Sequence, residues 1–252
     1  MSNLLRVASY NIHKGFSHFN RRMVIHDLRE RLRALDADIV FLQEVQGSHL
    51  GHAQRWQHWP SAPQYEFLAD QVWSDFAYGK NAIYDQGHHG NAILSRYPII
   101  RWENLDISAH AFESRGLLHA VIAVPGVPHE VHVFCVHLAL FEHSRKQQLV
   151  MLQRRVREEV PEAATLIIAG DFNDWRGHAG REFARELGLR EAFVTLHGKA
   201  ARSFPAQLPL LSLDRIYVRG WDIREAKVLH GMDNWRCSDH AVLMATLGAF
   251  DE

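Results

Sequence analysis

The sequence is poor in the features that mark several large protein classes. Of its 252 residues only two are cysteine, and Cys135 lies inside an apolar, strand-like run, so we expect no structural disulfide. No apolar run approaches the roughly 20 residues that a membrane-spanning helix needs. The formal net charge is −1, which argues against a strongly basic surface for sequence-independent binding of nucleic acid but leaves room for a small basic groove.

The beginning of the chain, MSNLLRVASYNIHKG, also lacks the apolar segment of a secretory signal. Together with the low cysteine content, this predicts a cytoplasmic protein. No repeat, low-complexity tract or Pro/Gly/Ser-rich linker divides the sequence. We therefore expect one domain over residues 1–252 that acts as a monomer, without integral membrane association.

Strands are predicted where short apolar runs recur, as in RVASYN, DIVFLQE, VHVFCVH and TLIIAGDF. Helices are predicted over residues 24–35 and 149–160, where apolar side chains repeat every three or four residues, and a shorter one over 181–189. Residues 48–90, rich in His, Trp and Tyr, show neither period, and we expect them to be irregular and at the surface. Strands joined partly by helices and partly by short loops predict an α/β sandwich.

Four of the apolar strands end in side chains that bind metals or carry protons. RVASYN ends at Asn11, DIVFLQE at Glu44, VHVFCVH at His137, and TLIIAGDFN at Asp171 and Asn173. Because the carboxyl ends of parallel strands lie at one edge of a sheet, we expect these side chains to meet.

Two strands near the C-terminus begin with such residues instead. Asp214 precedes RIYV, and Asp239 and His240 precede AVLMATL. If these two strands run antiparallel to the others, their beginnings reach the same edge. Carboxylate and amide oxygens suit Mg²⁺ or Mn²⁺ better than zinc, and histidines beside carboxylates suit proton transfer and stabilisation of a charged phosphoryl group. The residues alone predict a divalent-metal hydrolase of a phosphate ester without naming the ester.

Each of these residues also has an ordinary structural explanation. Asp171 and Asn173 are typical of turns after strands, and Asp214 is a candidate salt-bridge partner of Arg215 or Arg236. Acidic strand ends are often merely solvated, and buried histidines are often hydrogen-bonded core residues. Six strand termini of this kind in one chain favour a functional site.

Two further patterns carry less weight. His129 and His132 do not form a zinc pair, because residues three apart on a strand face opposite sides. Four residues flank the polar motifs and either pack at the edge of the sandwich or form a platform that stacks on the substrate and contacts its phosphate: Trp175, Arg176, Trp235 and Arg236.

In this order the motifs resemble those of the endonuclease/exonuclease/phosphatase superfamily, which has the deoxyribonuclease I-like fold. YNIH resembles its N-terminal Asn motif, LQEV its metal-binding Glu, GNAILSR its central strand, and SRG its motif with Arg115. VHL resembles the segment with the first catalytic His, followed by GDFN, LDRIYV and the terminal SDH. The resemblance implies a four-layer sandwich of two mixed β-sheets flanked by helices. The sequence is similar to uncharacterised enterobacterial members of about this length.

The resemblance also implies a ligand set and a base. Glu44 would bind Mg²⁺ or Mn²⁺, with Asn11 and Asp239 contributing directly or through water. Asp171 would activate the attacking water, held in place by Asn173.

The resemblance also implies which residues contact the phosphate. His240 would contact the phosphate oxygens, with Asp214 accepting its other ring proton. His137 would lie near the leaving group or a non-bridging oxygen, and Arg115 would support the phosphate or the histidine.

The sequence departs from the family pattern at two places. Nucleases of the family often carry an acidic residue two positions after the first Asn, where this chain has His13. Their central strand often carries a Glu that pairs with the first catalytic His, whereas GHHGNAIL has no acid and offers His88, His89 or Asn91. These departures weaken the case for a DNA substrate and leave the metal and proton-transfer residues untouched.

Three functions agree with the sequence. The first is a phosphodiesterase or nuclease dependent on Mg²⁺ or Mn²⁺, with nucleic acid as a possible substrate. The second is a lipid-headgroup phosphodiesterase or phosphatase, similar to sphingomyelinases, inositol-phosphate phosphatases or lipid-anchor remodelling enzymes. Neutral charge and the aromatic segment 73–84 favour it, and it implies peripheral lipid contact. The third, a scaffold that has lost catalysis, is disfavoured by the intact motifs.

Overall fold

A computed structural model of the chain describes residues 4–17, 22–49, 51, 55–229 and 237–249. Twelve strands run through this part of the chain. They are β1 (Leu4–Asn11), β2 (Ile39–His49), β3 (Asp75–Tyr84), β4 (Gly87–Ser95), β5 (Ile99–Asp106), β6 (Gly116–Ile122), β7 (Val131–His137), β8 (Thr165–Asp171), β9 (Arg190–Glu191), β10 (Asp214–Arg219), β11 (Trp221–Leu229) and β12 (Val242–Ala249).

The α-helices whose bounds the structure defines are α1 (Ile25–Ala34), α2 (Gln64–Ala69), α3 (Glu142–Glu159), α4 (His178–Glu186) and α5 (Ala192–His197). The three helices predicted from apolar spacing, α1, α3 and α4, are confirmed. Each described helix is too short or too polar to cross a bilayer.

The prediction that residues 48–90 are irregular was wrong for much of that segment, which contains α2, β3 and the beginning of β4. The reason lies in the position of β3. It is an edge strand, and most of its side chains are only half-buried or exposed. An edge strand therefore lacks the continuous apolar run by which the buried strands were recognised.

The strands form two six-stranded mixed sheets. The first has the order β11-β12-β1-β2-β4-β3 and the second β5-β6-β7-β8-β10-β9. β1 and β2 are parallel, as are β7 and β8. β10 runs antiparallel to β8, and β12 runs antiparallel to β1, as predicted. The beginnings of β10 and β12 thus reach the edge where β1, β2, β7 and β8 end.

Three apolar layers hold the sheets and helices together. The largest lies between the sheets, where Phe41 and Ile93 of the first sheet and Ile167 and Ile216 of the second belong to one buried cluster. A second cluster packs α1 and α2 on the first sheet, and a third packs α3 and α4 on the second. Each fully buried large side chain stabilises the fold by about 1.5–3 kcal/mol. The result is the four-layer sandwich predicted from the motifs.

Candidate active site

The polar strand ends of both sheets meet at one edge of the sandwich. Asn11, at the end of β1 in the first sheet, is 1% exposed. Its Nδ2 lies 3.3 Å from Oε1 of Glu44 and 3.3 Å from Oδ2 of Asp171, which ends β8 in the second sheet. One buried amide therefore connects the carboxylate expected to bind metal with the carboxylate expected to act as the base. Its own Oδ1 accepts the backbone N–H of His13 at 3.1 Å.

Asp171 lies at the centre of this cluster. Its Oδ1 accepts the backbone N–H of Asn173 at 3.0 Å. Its Oδ2 faces Nδ2 of Asn11, Nε2 of His137 at 3.5 Å and Nε2 of His240 at 3.8 Å. Both histidine distances exceed those of direct hydrogen bonds, so neither ring is tightly bonded to Asp171. Burial raises the pKa of Asp171 to about 6, and the positive charge of His240 opposes that rise.

The backbone around Asp171 explains the sequence Gly-Asp-Phe-Asn. Gly170 has φ 146°, and a Cβ there would lie 2.0 Å from the carbonyl oxygen of Val136 on β7. Only glycine lets β8 approach β7 so closely. Asn173 has φ 50°, and its Nδ2 donates to the carbonyl oxygen of Leu138 at 2.9 Å. Asn173 thus fixes Asp171 through its backbone N–H, while its side chain holds the neighbouring loop.

His240 and Asp214 form a buried pair beside Asp171. Nδ1 of His240 lies 2.8 Å from Oδ2 of Asp214, and Asp214 is directly opposite Asp171 in the register of β10 and β8. Burial alone would lower the pKa of His240, but Asp214, Asp171 and Asp239 together raise it to about 10. The ring is therefore an imidazolium that presents Nε2–H towards Asp171.

His137 is in the opposite protonation state. Burial lowers its pKa well below the ordinary value, and the positive charges of Arg115 and His240 lower it further. Arg115 accordingly lies within electrostatic reach of His137, and its Nε is buried without a hydrogen-bond partner among the described residues. The site thus combines one neutral and one protonated histidine, each near Asp171.

Glu44 owes its position to an irregularity in β2. The pairing register of β2 with β4 shifts between Leu42 and Val45, and Glu44 has φ 57°. A bulge of this kind redirects a side chain, and a left-handed non-glycine residue is typical of functional sites. Nζ of Lys14 lies 3.8 Å from Oε2 of Glu44, which is too far for a tight ion pair.

Asp239 lies three residues before β12. Its Oδ1 is 3.6 Å from Nδ1 of His13 and accepts the hydroxyl of Ser238 at 3.3 Å. With Glu44 and Asn11 it offers two carboxylates and an amide, which is donor chemistry that fits Mg²⁺ or Mn²⁺. Where nucleases of the family often have an acidic residue, this chain therefore has the imidazole of His13, which lies beside the carboxylate of Asp239.

A second group of potential metal ligands is less suited to binding a metal. Ligand atoms of Asp171, Asp214 and His240 all lie within 4.8 Å of one another. However, Asp214 already occupies Nδ1 of His240 at 2.8 Å. A carboxylate that orients a histidine in this way is typical of a proton-transfer pair.

The structure distinguishes the three candidates for the missing central-strand acid. Nδ1 of His88 lies 2.9 Å from the hydroxyl of Tyr78, and Nδ2 of Asn91 donates to the carbonyl oxygen of Gly116 on the other sheet at 3.1 Å. Burial lowers the pKa of His89 to about 4, with Lys14, Glu44 and Arg115 as its charged neighbours. Of the three, His89 is the one that shares the electrostatic environment of the site.

The structure answers several remaining sequence predictions. The side chain of Asp214 pairs with His240, whereas Arg215 donates to main-chain oxygens. His132 is bonded to His119, with 3.0 Å between ring nitrogens. Trp175 stacks under the guanidinium of Arg145 at 5.4 Å. The proposed platform partners Trp235 and Arg236 lie outside the described residues.

The sequence analysis missed two residues that contact the carboxylate residues of the site. Lys14 follows the Asn11 motif closely, so proximity along the chain was a usable signal. Ser203, whose hydroxyl accepts the backbone N–H of Asp214 at 3.3 Å, belongs to a distant loop with no recognisable motif.

Comparison with known proteins agrees with this geometry. The model of the endonuclease/exonuclease/phosphatase family matches residues 8–240. The uncharacterised protein YbhP of Escherichia coli K12 is 49% identical over 243 residues, which cover 96% of this chain and 95% of YbhP.

Solved structures share the fold at lower identity. An endonuclease/exonuclease/phosphatase from Beutenbergia cavernae has a TM-score of 0.79 at 19% identity, covering 98% of this chain and 72% of that one. D. rerio TDP2 complexed with single strand DNA product has a TM-score of 0.68 at 18% identity and coverages of 97% and 98%. The mannosyl-6-phosphatase Bt3783 of Bacteroides thetaiotaomicron has a TM-score of 0.71 at 17% identity and coverages of 96% and 99%. On the family match and the identity to YbhP, the chain belongs to the endonuclease/exonuclease/phosphatase family, whose members hydrolyse phosphate esters.

Proposed function

We propose that this protein is a divalent-metal-dependent phosphodiesterase in which Asp171 activates the attacking water. The observation that supports this best is the convergence of three nitrogen groups on Oδ2 of Asp171, from Asn11, His137 and His240, at 3.3 to 3.8 Å. Groups gathered around one carboxylate oxygen can contact the same water or phosphate oxygen beside it. The core that both sheets share supports the prediction that residues 1–252 act as one domain.

Glu44 and Asp239 would hold Mg²⁺ or Mn²⁺, with Asn11 nearby. When bound, the ion would neutralise phosphate charge and lower the pKa of coordinated water. Because Glu44 lacks a tight ion pair with Lys14, its carboxylate is available to a cation. Asn11 donates to the carboxylates of Glu44 and Asp171, so its contribution to metal binding through oxygen stays a prediction.

Proton transfer falls to Asp171 and Asp214 of the second sheet and to His240, which precedes β12 of the first. Asp171, oriented by the N–H of Asn173, accepts a proton from the attacking water, a role that its raised pKa favours. The imidazolium of His240, held by Asp214, donates a hydrogen bond to a phosphoryl oxygen as negative charge develops there.

The leaving-group side belongs to His137 and Arg115. A neutral His137 donates an N–H to the leaving or a non-bridging oxygen without adding charge to the ground state. Arg115 supplies the positive charge on that side. We favour a diester over a monoester because a diester carries one negative charge rather than two and so needs less neutralisation before attack.

Hydrolysis by the purified, metal-stripped protein after addition of Mg²⁺ or Mn²⁺ tests the proposal. The substrates are bis-p-nitrophenyl phosphate, p-nitrophenyl phosphate, plain and abasic duplex DNA, single-stranded DNA, inositol phosphates and sphingomyelin. We expect the diester to exceed the monoester in kcat/KM by about tenfold or more. If the monoester is hydrolysed faster, the protein is a phosphatase rather than a phosphodiesterase. Turnover without added metal would refute the mechanism.

A further inference from the structure

Exposed apolar side chains are concentrated around the candidate active site. Of the sixteen large hydrophobic residues that are exposed in the described part of the chain, nine lie in loops or strand ends that adjoin site residues. The other seven are on strands or helices. The nine form what we term the apolar rim: Ile83, Tyr84, Phe112, Leu140, Phe141, Trp175, Leu208, Leu210 and Leu211.

The loops of the rim are joined to one another by buried polar side chains. Arg215 donates to the carbonyl oxygens of Ser212 at 2.8 Å and Asp174 at 3.0 Å, which connects the segment 203–213 to the loop after β8. Arg145 donates to the carbonyl oxygen of Leu140 at 2.8 Å and lies over the ring of Trp175. This arginine connects the loop after β8 to the loop after β7.

The connection continues on the other side of the site. Gln148 accepts the N–H of Ala139 at 2.7 Å and donates to Glu113 at 2.7 Å, so it joins the loop after β7 to the loop before β6. Asn81 of the β3–β4 hairpin lies against Gly116, where a Cβ would be 1.8 Å from its Oδ1. Because the joining side chains Arg145, Gln148 and Arg215 are all buried, the rim is a preformed surface.

The segment 203–213 lies closest to the chemistry. Its sequence, SFPAQLPLLSL, has no charged residue, and Leu208 and Leu210 are 66% and 60% exposed. The ring of Phe204 lies 5.1 Å from that of His240, and the N–H of Ala206 donates to the carbonyl oxygen of Asp239 at 2.7 Å. The apolar side chains of this segment are therefore presented beside the imidazolium that would bind phosphate.

The charge of the rim does not suit a polyanion. Across residues 81–89, 107–115, 138–141, 172–177 and 203–213, the positive residues are Arg115 and Arg176 and the negative ones are Asp85, Glu113 and Asp174. Nucleic-acid surfaces need several Lys or Arg contacts to phosphates. Exposed Leu, Phe, Trp and Tyr without excess charge are instead typical of surfaces that insert into the headgroup region of a bilayer.

We infer that the apolar rim docks on a phospholipid bilayer and presents the phosphodiester of a membrane lipid to Asp171 and His240. The inference rests on the proposed function for its chemistry and adds a substrate class and a binding surface. Docking places the rim among headgroups while the phosphate enters between the loops. Because the driving force is burial of apolar surface, binding needs no anionic lipid and is insensitive to salt.

Vesicle sedimentation of the full chain in EDTA tests docking apart from turnover. The vesicles are phosphatidylcholine alone and phosphatidylcholine with phosphatidylglycerol, at low salt and at about 0.5 M salt. We expect wild type to bind both compositions at both salt concentrations. The double variant Leu208→Ser/Leu210→Ser should bind at least about tenfold more weakly, because it removes two apolar side chains from the interface.

A matched pair elsewhere controls for general loss of apolar surface. Val150 and Met151 on α3 are 62% and 42% exposed and lie outside the rim, so Val150→Ser/Met151→Ser should bind vesicles like wild type. Both double variants should hydrolyse bis-p-nitrophenyl phosphate at the wild-type rate, since none of the four residues belongs to the catalytic machinery.

Each outcome has a distinct meaning. Absence of vesicle binding by wild type, or equal loss in both double variants, overturns the inference and leaves the proposed function standing if metal-dependent hydrolysis persists. If wild type binds vesicles but hydrolyses no diester, the apolar rim stands as a membrane-binding surface and the proposed function is refuted. A rim variant that binds vesicles normally but raises KM for single-stranded DNA would reassign the rim to nucleic acid.

Discussion

Two clusters in the described part of the molecule combine histidines with carboxylates, and they differ in almost everything else. The strand-end cluster contains Asp171, Asp214, His137 and His240. The outer-face cluster, on the side of the second sheet that α3 covers, contains Glu103, His119, His132 and Arg155. Each has a close histidine–carboxylate contact, of 2.8 Å between His240 and Asp214 and 3.1 Å between His119 and Glu103.

The outer-face cluster is closed. Arg155 makes contacts of 2.6 to 2.8 Å with Glu103, and Nε2 of His119 lies 3.0 Å from Nδ1 of His132. The ring of His119 also stacks on that of Phe134 with 4.1 Å between centroids. Burial lowers the pKa of His119 to about 4, although Glu103 acts in the opposite direction. A neutral histidine in a fully bonded network stabilises the fold.

The strand-end cluster is open. No arginine forms an ion pair with Asp171 or Asp214 among the described residues, and Oδ1 of Asp214 is buried without a hydrogen-bond partner. His240 therefore faces more negative charge than it can neutralise, which raises its pKa. The comparison teaches that unmatched carboxylates and long contacts, rather than buried histidines as such, distinguish a site for chemistry from a structural network.

The largest difference between the clusters should appear in kcat when Asp171, the expected base of the strand-end cluster, is replaced. Asp171→Asn is expected to lower kcat by roughly 10²–10⁴ because the attacking water loses its proton acceptor. Asp174→Asn is the matched control, since this buried carboxylate three residues away accepts the N–H of Gly180 at 2.8 Å and has no role in proton transfer. It should cost stability and leave kcat near wild type. Equal kinetic losses in both variants would show that the loop, not the base, was disturbed.

A second pair of variants exchanges the histidine partners. Asp214→Asn should reduce turnover by roughly 10²-fold because His240 loses its main stabilising charge. Glu103→Gln should leave turnover unchanged and lower the free energy of unfolding by about 2 kcal/mol, since it leaves Arg155 and His119 poorly paired. Measurements of turnover and of thermal unfolding on both variants check these two predictions. A kinetic loss in Glu103→Gln would contradict the assignment of its cluster to stability.

The most gradual expected effect is a pH dependence of stability. The pKa of His119 is lower in the folded state than in the unfolded one, so the unfolded chain binds more protons between about pH 4 and 6.5. Stability should therefore fall as the pH drops through this range, by about 3 kcal/mol from this residue. Denaturant unfolding should show a flatter pH profile in His119→Gln than in the exposed control His110→Gln. Parallel profiles in the two variants would assign the acid sensitivity elsewhere.

The sequence was informative where its signal was local. Continuous apolar runs identified the buried strands, and the placement of Asp214 before RIYV correctly predicted an antiparallel strand. The edge strand β3 was missed because it is half-exposed and so carries no continuous run.

Other features depend on contacts between distant segments. That Asn11 would join the two sheets through Glu44 and Asp171 could not be deduced, because nothing in the sequence says which sheet a strand joins. The outer-face cluster was equally inaccessible, since Glu103 and Arg155 meet only after α3 packs on the sheet. The apolar rim likewise required knowledge of which leucines and aromatics remain exposed.

The rate of bis-p-nitrophenyl phosphate hydrolysis as a function of Mn²⁺ concentration, for metal-stripped wild type and Glu44→Gln, tests the central claim most directly. We predict no turnover without metal, saturation in wild type, and a requirement for at least about tenfold more Mn²⁺ in Glu44→Gln. Turnover that persists in EDTA, or the same Mn²⁺ dependence in both proteins, would contradict the claim that the open cluster works with a metal held by Glu44.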